Sequence, residues 1–361
     1  MTVLFAGGGT GGHLYPGIAV AEELRRRDPS TEVSFVGTAR GLESKVVPAL
    51  GLPLDVIRSA GLKGKSPAAL TRGMALLPLS ALDAWRVLSR RRPDVVVGVG
   101  GYSSGPVLLL AALRRLPTLV MEQNTTPGFT NRTLARWVRA AAVSYEETLR
   151  FFPGVGVVTG NPVRRGFLET GGRDDVRPVD GKVRVLIVGG SQGARAVNEA
   201  MLAAAPALAA HAATLSITHQ AGERELARVR DGYGAAGLSA TVLPFLHDMP
   251  AQMAAADLVV SRAGASTLAE LTILGRPMVL VPLPTAADDH QRKNAASLAR
   301  AGAAEVIDER ELTGERLAAV VLGLAGDEPR RHRMAAAARG LGRPDAAARV
   351  ADRIEALAGG K

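Results

Sequence analysis

Short apolar runs alternate with longer amphipathic segments along most of the chain. This alternation predicts β-strands joined by helices, which is the pattern of an α/β protein. In the first half the predicted strands are Val3–Ala6, Val33–Val36, Val95–Val99, Thr118–Met121 and Ala141–Ser144. After a polar stretch over residues 171–181 the scheme repeats, with Val183–Val188, Thr214–Ile217, Ala240–Leu243, Leu258–Val260 and Met278–Val281. A length of 361 residues suits two domains, and we expect their boundary near Asn161–Arg165.

Glycine-rich turns follow the first predicted strand of each half. Gly7–His13 reads Gly-Gly-Gly-Thr-Gly-Gly-His, and Gly189–Gly193 reads Gly-Gly-Ser-Gln-Gly. Glycine permits positive φ and lets an anion approach backbone N–H groups closely. Two such turns predict a negatively charged ligand held in a cleft between domains. The first turn also fits G-x-G-x-x-G, but Val33–Val36 ends without the acidic residue of a nicotinamide site, which argues against a dehydrogenase.

A third informative segment runs from Ser261 to Glu270, where a glycine turn precedes Ser266 and Thr267. N–H groups at the start of the following helix are suited to binding phosphate. The carboxylate of Glu270, one turn further on, is suited to accepting hydrogen bonds from both hydroxyls of a ribose. The same residues also fit a capping box, in which Glu270 only satisfies the helix N-terminus. The local sequence leaves both interpretations open.

Composition limits the classes of function. The chain has no cysteine, which excludes disulfides and thiolate chemistry, and its six histidines show no metal-ligand spacing, so neither a metal nor a cofactor is predicted. The N-terminus lacks a signal-peptide pattern and no apolar run is long enough to span a membrane, which predicts a cytoplasmic protein. A formal net charge of +10 leaves a membrane surface, a nucleic acid or a phosphate-bearing substrate as partners.

The segment Pro67–Arg92 is the best candidate for a membrane contact. Its apolar residues are Leu70, Met74, Leu77, Leu82, Trp85 and Leu88, and its basic residues are Arg72, Arg86, Arg90, Arg91 and Arg92. A buried core helix would explain the leucines equally well but not the clustered arginines, which anionic headgroups attract. Nucleic-acid binding is not predicted, because no aromatic residues are interleaved with the basic ones and no recognition motif accompanies them.

Seven ordered motifs give the chain a resemblance to a known family. They are Gly7–His13, Gly98–Tyr102, Glu122–Asn124, Gly160–Arg164, Gly189–Ala194, Ala263–Glu270 and Asp289–Ala295. In this order they resemble the MurG family of glycosyltransferases (family 28), which transfer N-acetylglucosamine from UDP-GlcNAc to lipid I in peptidoglycan synthesis. The resemblance implies a GT-B fold of two Rossmann-like domains with parallel sheets facing a deep cleft, an inverting mechanism and no metal requirement.

The resemblance also implies a division of labour between the domains. Residues 1–162 are expected to bind the acceptor and the membrane, and the C-terminal segment 342–361 is expected to pack back on them. Residues 163–341 are expected to bind UDP-GlcNAc. The implied location is the cytoplasmic face of the cell membrane, as a peripheral protein, whereas the oligomeric state is not predicted.

Individual site residues follow from the same resemblance. The implied donor-binding residues are Thr10, Gly11, Gly12, Asn124, Arg164, Ser191, Leu246, Ala265, Ser266, Thr267, Leu268, Glu270, His290 and Gln291. His290 stands where some members carry a second glutamine, which leaves its contact with the sugar open. The implied acceptor-binding residues are Gly100, Gly101, Tyr102 and Asn124.

Transfer to the C4 hydroxyl of the N-acetylmuramyl unit of lipid I, which gives lipid II, requires a base. His13 is the first choice because imidazole titrates near neutral pH, and Glu122 is the second. His13 could instead only position the acceptor pyrophosphate, while helix N-termini and Arg164 stabilise the leaving UDP. Two other functions stay open: a UDP-GlcNAc 2-epimerase of the same fold, and a non-catalytic nucleotide-binding membrane adaptor.

Overall fold

In the computed structural model, residues 1–59, 67–170, 181–190 and 193–360 are described, without the side chains of residues 67–75 and 287. The chain divides into two compact units. The first contains Met1–Arg164 together with Arg343–Lys361, and the second contains Arg165–Gly342. The first unit is therefore formed by two separate segments, one from each end of the chain.

The first unit is built on a sheet of seven described strands, all paired in parallel. The strands are β1 (Thr2–Gly7), β2 (Glu32–Gly37), β3 (Leu54–Val56), β4 (Val95–Gly100), β5 (Thr118–Glu122), β6 (Ala140–Val143) and β7 (Gly156–Val158). The helices are α1 (Gly11–Arg27), α2 (Glu43–Ala49), α3 (Pro67–Arg91), α4 (Ser104–Leu113), α5 (Phe129–Leu134) and, from the C-terminal segment, α14 (Ala346–Gly359). The order β3-β2-β1-β4-β5-β6-β7 reverses direction between β1 and β4. Such a reversal is the topological switch point at which open α/β sheets bind ligands.

The second unit repeats the scheme. Its strands are β8 (Val183–Val188), β9 (Leu215–Gln220), β10 (Ala240–Leu243), β11 (Leu258–Ser261), β12 (Met278–Leu280) and β13 (Ala304–Val306). Its helices are α6 (Arg165–Thr170), α7 (Arg195–Ala209), α8 (Leu226–Ala235), α9 (Met249–Ala255), α10 (Ala265–Leu274), α11 (His290–Arg300), α12 (Gly314–Gly326) and α13 (Glu328–Leu341). The order β10-β9-β8-β11-β12-β13 places the switch point between β8 and β11.

Helix α14 closes the core of the first unit. Val350, Ala351 and Ile354 are fully buried and belong to the same apolar cluster as residues of β1, β4 and α1. At the rim, Arg27 of α1 contacts the carboxylates of Asp352 at 2.7 Å and Glu355 at 2.8 Å. The apolar stripe at i, i+1 and i+4 explains why this segment folds as a helix with one buried face.

The predicted α/β class and parallel alternation are confirmed, and every predicted strand is present. Three strands were missed: β3, β7 and β13. Each has three residues and lies at the edge of its sheet. Two of them, β3 (Leu-Asp-Val) and β13 (Ala-Glu-Val), carry an acidic residue, which interrupts the apolar run that marks a central parallel strand. An edge strand tolerates such a residue because it is covered less completely.

Candidate functional site

Two loops flank the switch point of the first unit. The glycine turn after β1 continues into α1, and the loop Gly100–Tyr102 follows β4. Gly7, Gly8 and Gly9 have φ values of 130°, 137° and 87°, which other residues rarely adopt. The Gly8 N–H donates to the carbonyl of Gly100 over 3.2 Å. The turn is therefore fastened to the loop on the other side of the switch point.

His13 lies in the first turn of α1 and is half-buried. Its Nδ1 lies 3.2 Å from the hydroxyl of Thr10. Its ring packs against Gly100, since a Cβ atom added there would come within 2.6 Å of the ring. The structure thus brings together His13, Thr10 and the predicted acceptor residues Gly100 and Gly101, with Tyr102 partly exposed beside them.

Glu122 ends β5, next to β4, and is almost fully buried. Its Oε1 accepts hydrogen bonds from the backbone N–H and side-chain amide of Asn124, at 3.0 and 3.2 Å. Its Oε2 accepts from the Gly128 N–H at 3.1 Å and the Asn131 amide at 2.9 Å. Burial raises the pKa of Glu122, and these four donors oppose that effect. The carboxylate organises the loop between β5 and α5.

Arg164 ends the first unit, and its guanidinium lies 4.3 Å from the centre of the Tyr15 ring. Tyr15 belongs to α1 and in turn covers Gly11, where an added Cβ would meet the ring at 2.9 Å. Arg164 is thus stacked on the ring that covers Gly11, in the first turn of α1. A cation in this position is suited to an anionic ligand at the helix N-terminus.

The switch point of the second unit opens into a cavity of 640 Å³. Its walls come from the ends of β8 and β11 and from the first turns of α7, α10 and α11. The lining residues include Gly189, Gly190, Gly193, Ser261, Arg262, Gly264, Thr267 and Gln291. A cavity of this size at a switch point is of the kind that holds a nucleotide. Ser191, one of the predicted phosphate contacts, lies outside the described residues.

Helix α10 begins after its N-cap Gly264, so Ala265, Ser266 and Thr267 occupy its first three positions. They precede the first hydrogen bond of the helix, from the Leu268 N–H to the Gly264 carbonyl at 3.0 Å, so their N–H groups point toward the N-terminal end. Glu270 is then the sixth helical residue and is largely buried. A capping box needs its acidic residue at the third position, so that interpretation of Glu270 is wrong. Leu268 points its side chain into the core, where it is 1% exposed.

The start of α11 presents two further predicted donor residues, His290 and Gln291. Asp288 and Asp289 both have positive φ, 53° and 55°, immediately before His290. Gln291 accepts a hydrogen bond from the Leu283 N–H at 3.0 Å through its Oε1. Its amide NH₂ group therefore faces away from Leu283 as a donor. Leu246 follows β10 and is buried. Its neighbours in sequence, Phe245 and His247, are exposed, and their rings contact each other edge to face.

Helix α3 has two apolar faces. Ala84, Val87 and Leu88 are buried, so Leu88 belongs to the core and not to an exposed surface as the sequence predicted. Leu77, Leu82 and Trp85 are each between 43% and 50% exposed. Leu70, Met74 and Arg72 lie among the residues whose side chains are not described.

The basic residues of α3 differ in their contacts. Arg90 and Arg91 both contact the buried carboxylate of Asp55, Arg91 at 2.7 Å, which offsets part of their charge. Arg86 is exposed. Beside it, Arg114 at the end of α4 lies 4.7 Å over the Trp85 ring.

Sequence reasoning missed several residues that shape these sites. Glu43 is fully buried and accepts from the Gly9 N–H at 2.7 Å.

In the second unit, His219 is fully buried between the Tyr233 hydroxyl at 2.7 Å and Asn198 Oδ1 at 3.0 Å. Because the Asn198 amide donates to Ala221, its oxygen must accept from His219 Nε2–H, and Tyr233 must donate to Nδ1. Burial lowers the pKa of His219 to about 4.

Two features are not found in the part of the chain that the structure describes. No three imidazole or carboxylate side chains are grouped so that they could ligate a metal ion. No helix combines the length and the apolar character needed to cross a bilayer.

Two Rossmann-like sheets, each with a glycine turn at its switch point, define a two-domain α/β protein of nucleotide-binding type. Family models agree with this class: the glycosyltransferase family 28 N-terminal domain matches residues 3–143 and the C-terminal domain matches residues 184–350. The chain belongs to glycosyltransferase family 28.

Individual relatives match over nearly the whole chain. A protein of Anaeromyxobacter sp. (strain Fw109-5) is 52% identical over 98% of this chain and 92% of its own length. One of Myxococcus xanthus is 48% identical with the same coverage. Both are named UDP-N-acetylglucosamine--N-acetylmuramyl-(pentapeptide) pyrophosphoryl-undecaprenol N-acetylglucosamine transferase.

Solved structures confirm the predicted GT-B fold class. MurG of Acinetobacter baumannii matches with a TM-score of 0.78 and 32% identity, covering 98% of this chain and 99% of its own. A UDP-GlcNAc 2-epimerase from Neisseria meningitidis matches with a TM-score of 0.69 but only 14% identity, which is a likeness of fold alone.

Proposed function

We propose that this chain transfers N-acetylglucosamine from UDP-GlcNAc to the C4 hydroxyl of the N-acetylmuramyl unit of lipid I, giving lipid II. The observation that carries the proposal is the identity of about half, over nearly the full length, to proteins named for this reaction. The 2-epimerase from Neisseria meningitidis is only 14% identical, so its likeness supports the fold and not its reaction. The resemblance of seven ordered motifs supports the same choice.

The second unit, close to the predicted range 163–341, is proposed to bind the donor. The 640 Å³ cavity at its switch point accepts the nucleotide, and the N–H groups of Ala265, Ser266 and Thr267 receive the diphosphate. Glu270 binds the ribose hydroxyls, and Leu246 lies against the uracil. Ser191, His290 and Gln291 complete the donor contacts, with the Gln291 NH₂ donating to a sugar hydroxyl. Leu268 has no direct donor contact in this proposal, because its side chain is buried and its N–H donates to the Gly264 carbonyl at 3.0 Å.

The first unit is proposed to bind the acceptor, through Gly100, Gly101, Tyr102 and Asn124. In the reaction, the C4 oxygen attacks the anomeric carbon from the face opposite UDP, while the bond to the UDP oxygen breaks. Helix N-termini and Arg164 stabilise the charge that develops on the leaving diphosphate. The resemblance to the MurG family adds Thr10, Gly11 and Gly12 to the residues proposed to bind the donor sugar.

His13 is proposed as the base that takes the proton of the C4 hydroxyl. With its Nδ1–H donated to the Thr10 hydroxyl 3.2 Å away, Nε2 carries the lone pair that accepts this proton. Glu122 is a poorer base, because its two oxygens already accept four hydrogen bonds from its own loop. Its proposed role is to hold Asn124 in place.

The outer face of α3 and the end of α4 are proposed to dock on the cytoplasmic face of the cell membrane. Leu77, Leu82 and Trp85 are joined there by Leu113, which is 58% exposed. Apolar residues with an interfacial tryptophan and flanking arginines suit an anionic bilayer surface. Arg86 is exposed and interacts electrostatically with Asp83, which is itself paired with Arg58, whereas Arg90 and Arg91 both contact Asp55 directly.

A transfer assay tests the function. Radiolabelled UDP-GlcNAc and a lipid I analogue should give labelled lipid II, whereas UDP-GalNAc, or a sample without acceptor, should give none. His13→Ala should lower kcat by about 10²–10⁴-fold while UDP affinity stays unchanged. Epimerised sugar formed without a lipid acceptor would replace the transferase by the epimerase alternative. UDP binding without any turnover would favour the adaptor alternative.

A further inference from the structure

The carboxylate of Glu43 occupies an unusual position beneath the first glycine turn. Glu43 begins α2 and is fully buried. Its Oε2 accepts from the Gly9 N–H at 2.7 Å, and its Oε1 accepts from the Thr38 N–H at 2.8 Å and the Thr38 hydroxyl at 3.1 Å. One carboxylate thus connects the turn after β1 to the end of β2.

Three glycines make room for this carboxylate. A Cβ atom added to Gly8, Gly37 or Gly41 would come within 2.5, 2.4 or 2.2 Å of the Glu43 side chain. Contacts this short would force the carboxylate to move. The chain therefore keeps three separate positions free of side chains around one buried acid.

The glycine turn itself needs such an anchor. Three successive residues with positive φ lose much conformational entropy when they become fixed, and they have no side chains with which to hold a conformation. The described contacts fix the turn at two points: Gly8 through the carbonyl of Gly100, and Gly9 through Glu43. The Gly9 N–H, expected from the sequence to face a ligand anion, is occupied by an anion of the chain itself.

The turn leads directly to the proposed base. Thr10 follows Gly9, precedes the first residue of α1 as its N-cap, and lies 3.2 Å from His13 Nδ1 through its hydroxyl. The backbone carbonyl of Thr10 also accepts from the His13 N–H at 3.2 Å. A displacement of Gly9 therefore shifts Thr10 and, with it, the imidazole.

We propose that Glu43 is a positioning residue for transfer: its carboxylate holds the glycine turn, and through Thr10 it orients His13 toward the acceptor hydroxyl. This inference rests on the proposed function, and Glu43 does not touch substrate. A carboxamide has one accepting oxygen, so in Glu43→Gln either the Gly9 N–H or the Thr38 N–H faces an NH₂ group. Thr38→Val is the matched control, because it removes the hydroxyl contact with Glu43 and keeps both backbone contacts.

The experiment uses the full chain and two readouts. In the transfer assay, Glu43→Gln should lower kcat by about 10- to 100-fold, while the affinity for UDP, which the second unit binds, stays within about twofold of wild type. By NMR, hydrogen exchange at the Gly9 amide should be at least about tenfold faster. Thr38→Val should change neither readout by more than about twofold.

The outcomes separate this inference from the proposed function. Wild-type kcat in Glu43→Gln would overturn the positioning role, and so would a wild-type rate of Gly9 exchange. An equal loss of kcat in Thr38→Val would overturn it as well. If wild type itself transfers no sugar, the proposed function fails, and the Gly9 exchange rate still tests the anchor. If Glu43→Gln does not fold, Glu43→Asp, which is too short to span both contacts, takes its place. If neither variant folds, Glu43 is required for folding of the chain, and the proposal is overturned.

Discussion

The carboxylate of Glu122 offers a test that separates a catalytic base from a loop anchor. Its four described hydrogen bonds divide evenly, with two donors from Asn124 at Oε1 and the donors of Gly128 and Asn131 at Oε2. Glu122→Gln keeps the size of the side chain but replaces one oxygen by an NH₂ group. Whichever way the carboxamide turns, two N–H donors then face another donor.

The size of the effect follows from this count. A hydrogen bond to a charged group is worth about 1.5–3 kcal/mol, so losing two should lower the free energy of unfolding of the first unit by about 3–6 kcal/mol. For a unit of this size the melting temperature should fall by on the order of 10 °C. The kcat should fall as well, because Asn124 is no longer held in its place.

Calorimetry, together with transfer kinetics and UDP affinity, measures the three quantities. Glu32→Gln, which removes an exposed carboxylate from the start of β2, is the matched control and should leave the melting temperature within about 1 °C. If Glu122→Gln melts like wild type while kcat drops by about 10²–10⁴-fold, the reasoning is refuted. Glu122 would then be the base, and His13 would position the acceptor pyrophosphate.

Three further predictions concern other parts of the molecule. Glu270→Ala should weaken UDP binding at least about tenfold by calorimetry, since it removes charge-assisted hydrogen bonds to ribose, and an unchanged affinity would exclude this role. The double variant Arg86→Gln, Arg114→Gln should reduce sedimentation with anionic liposomes, and the salt dependence of that binding, more than Arg90→Gln, Arg91→Gln does, because Arg90 and Arg91 are paired with Asp55. An equal loss of binding in both double variants would contradict this expectation. The pKa of His219 lies at about 4 in the folded chain against 6.5 unfolded, so between these pH values the unfolded state binds more protons and stability falls as pH falls. Chemical unfolding should show the second unit losing about 3 kcal/mol from pH ~7 to pH ~4, and a loss as large in His219→Gln would assign the effect elsewhere.

The central strands could be predicted because their signal is local. Val95–Gly100 and Val183–Val188 are covered on both faces, so nearly every residue in them is apolar. The edge strand Leu54–Val56 carries Asp55, whose carboxylate binds Arg90 and Arg91 from α3. The arginines that pair with Asp55 lie more than 30 residues further along the chain. The local sequence therefore shows only a charged residue, which is more typical of a loop than of a strand.

The two faces of α3 show a second limit. Periodicity marks Leu82, Trp85 and Leu88 as apolar, but it does not say which of them meets the sheet. The structure buries Leu88 and exposes the other two. Helical spacing alone cannot distinguish these cases when both faces of a helix are apolar, because the choice depends on what packs against it.

The glycine turns show where motif reading stops. A glycine-rich strand-to-helix turn predicts an anion near its N–H groups, and in the first unit that is correct for Gly9. The anion, however, is Glu43, which lies 34 residues further along the chain. A motif specifies the charge that a turn accepts but not whether the protein or a ligand supplies it, since that is decided by which distant segment folds beneath the turn. The trace that Glu43 leaves in the sequence is steric. Glycines stand at 37 and 41, shortly before the residue, and at 8 in the turn itself. Their common reason is visible only once the carboxylate is seen to contact all three positions.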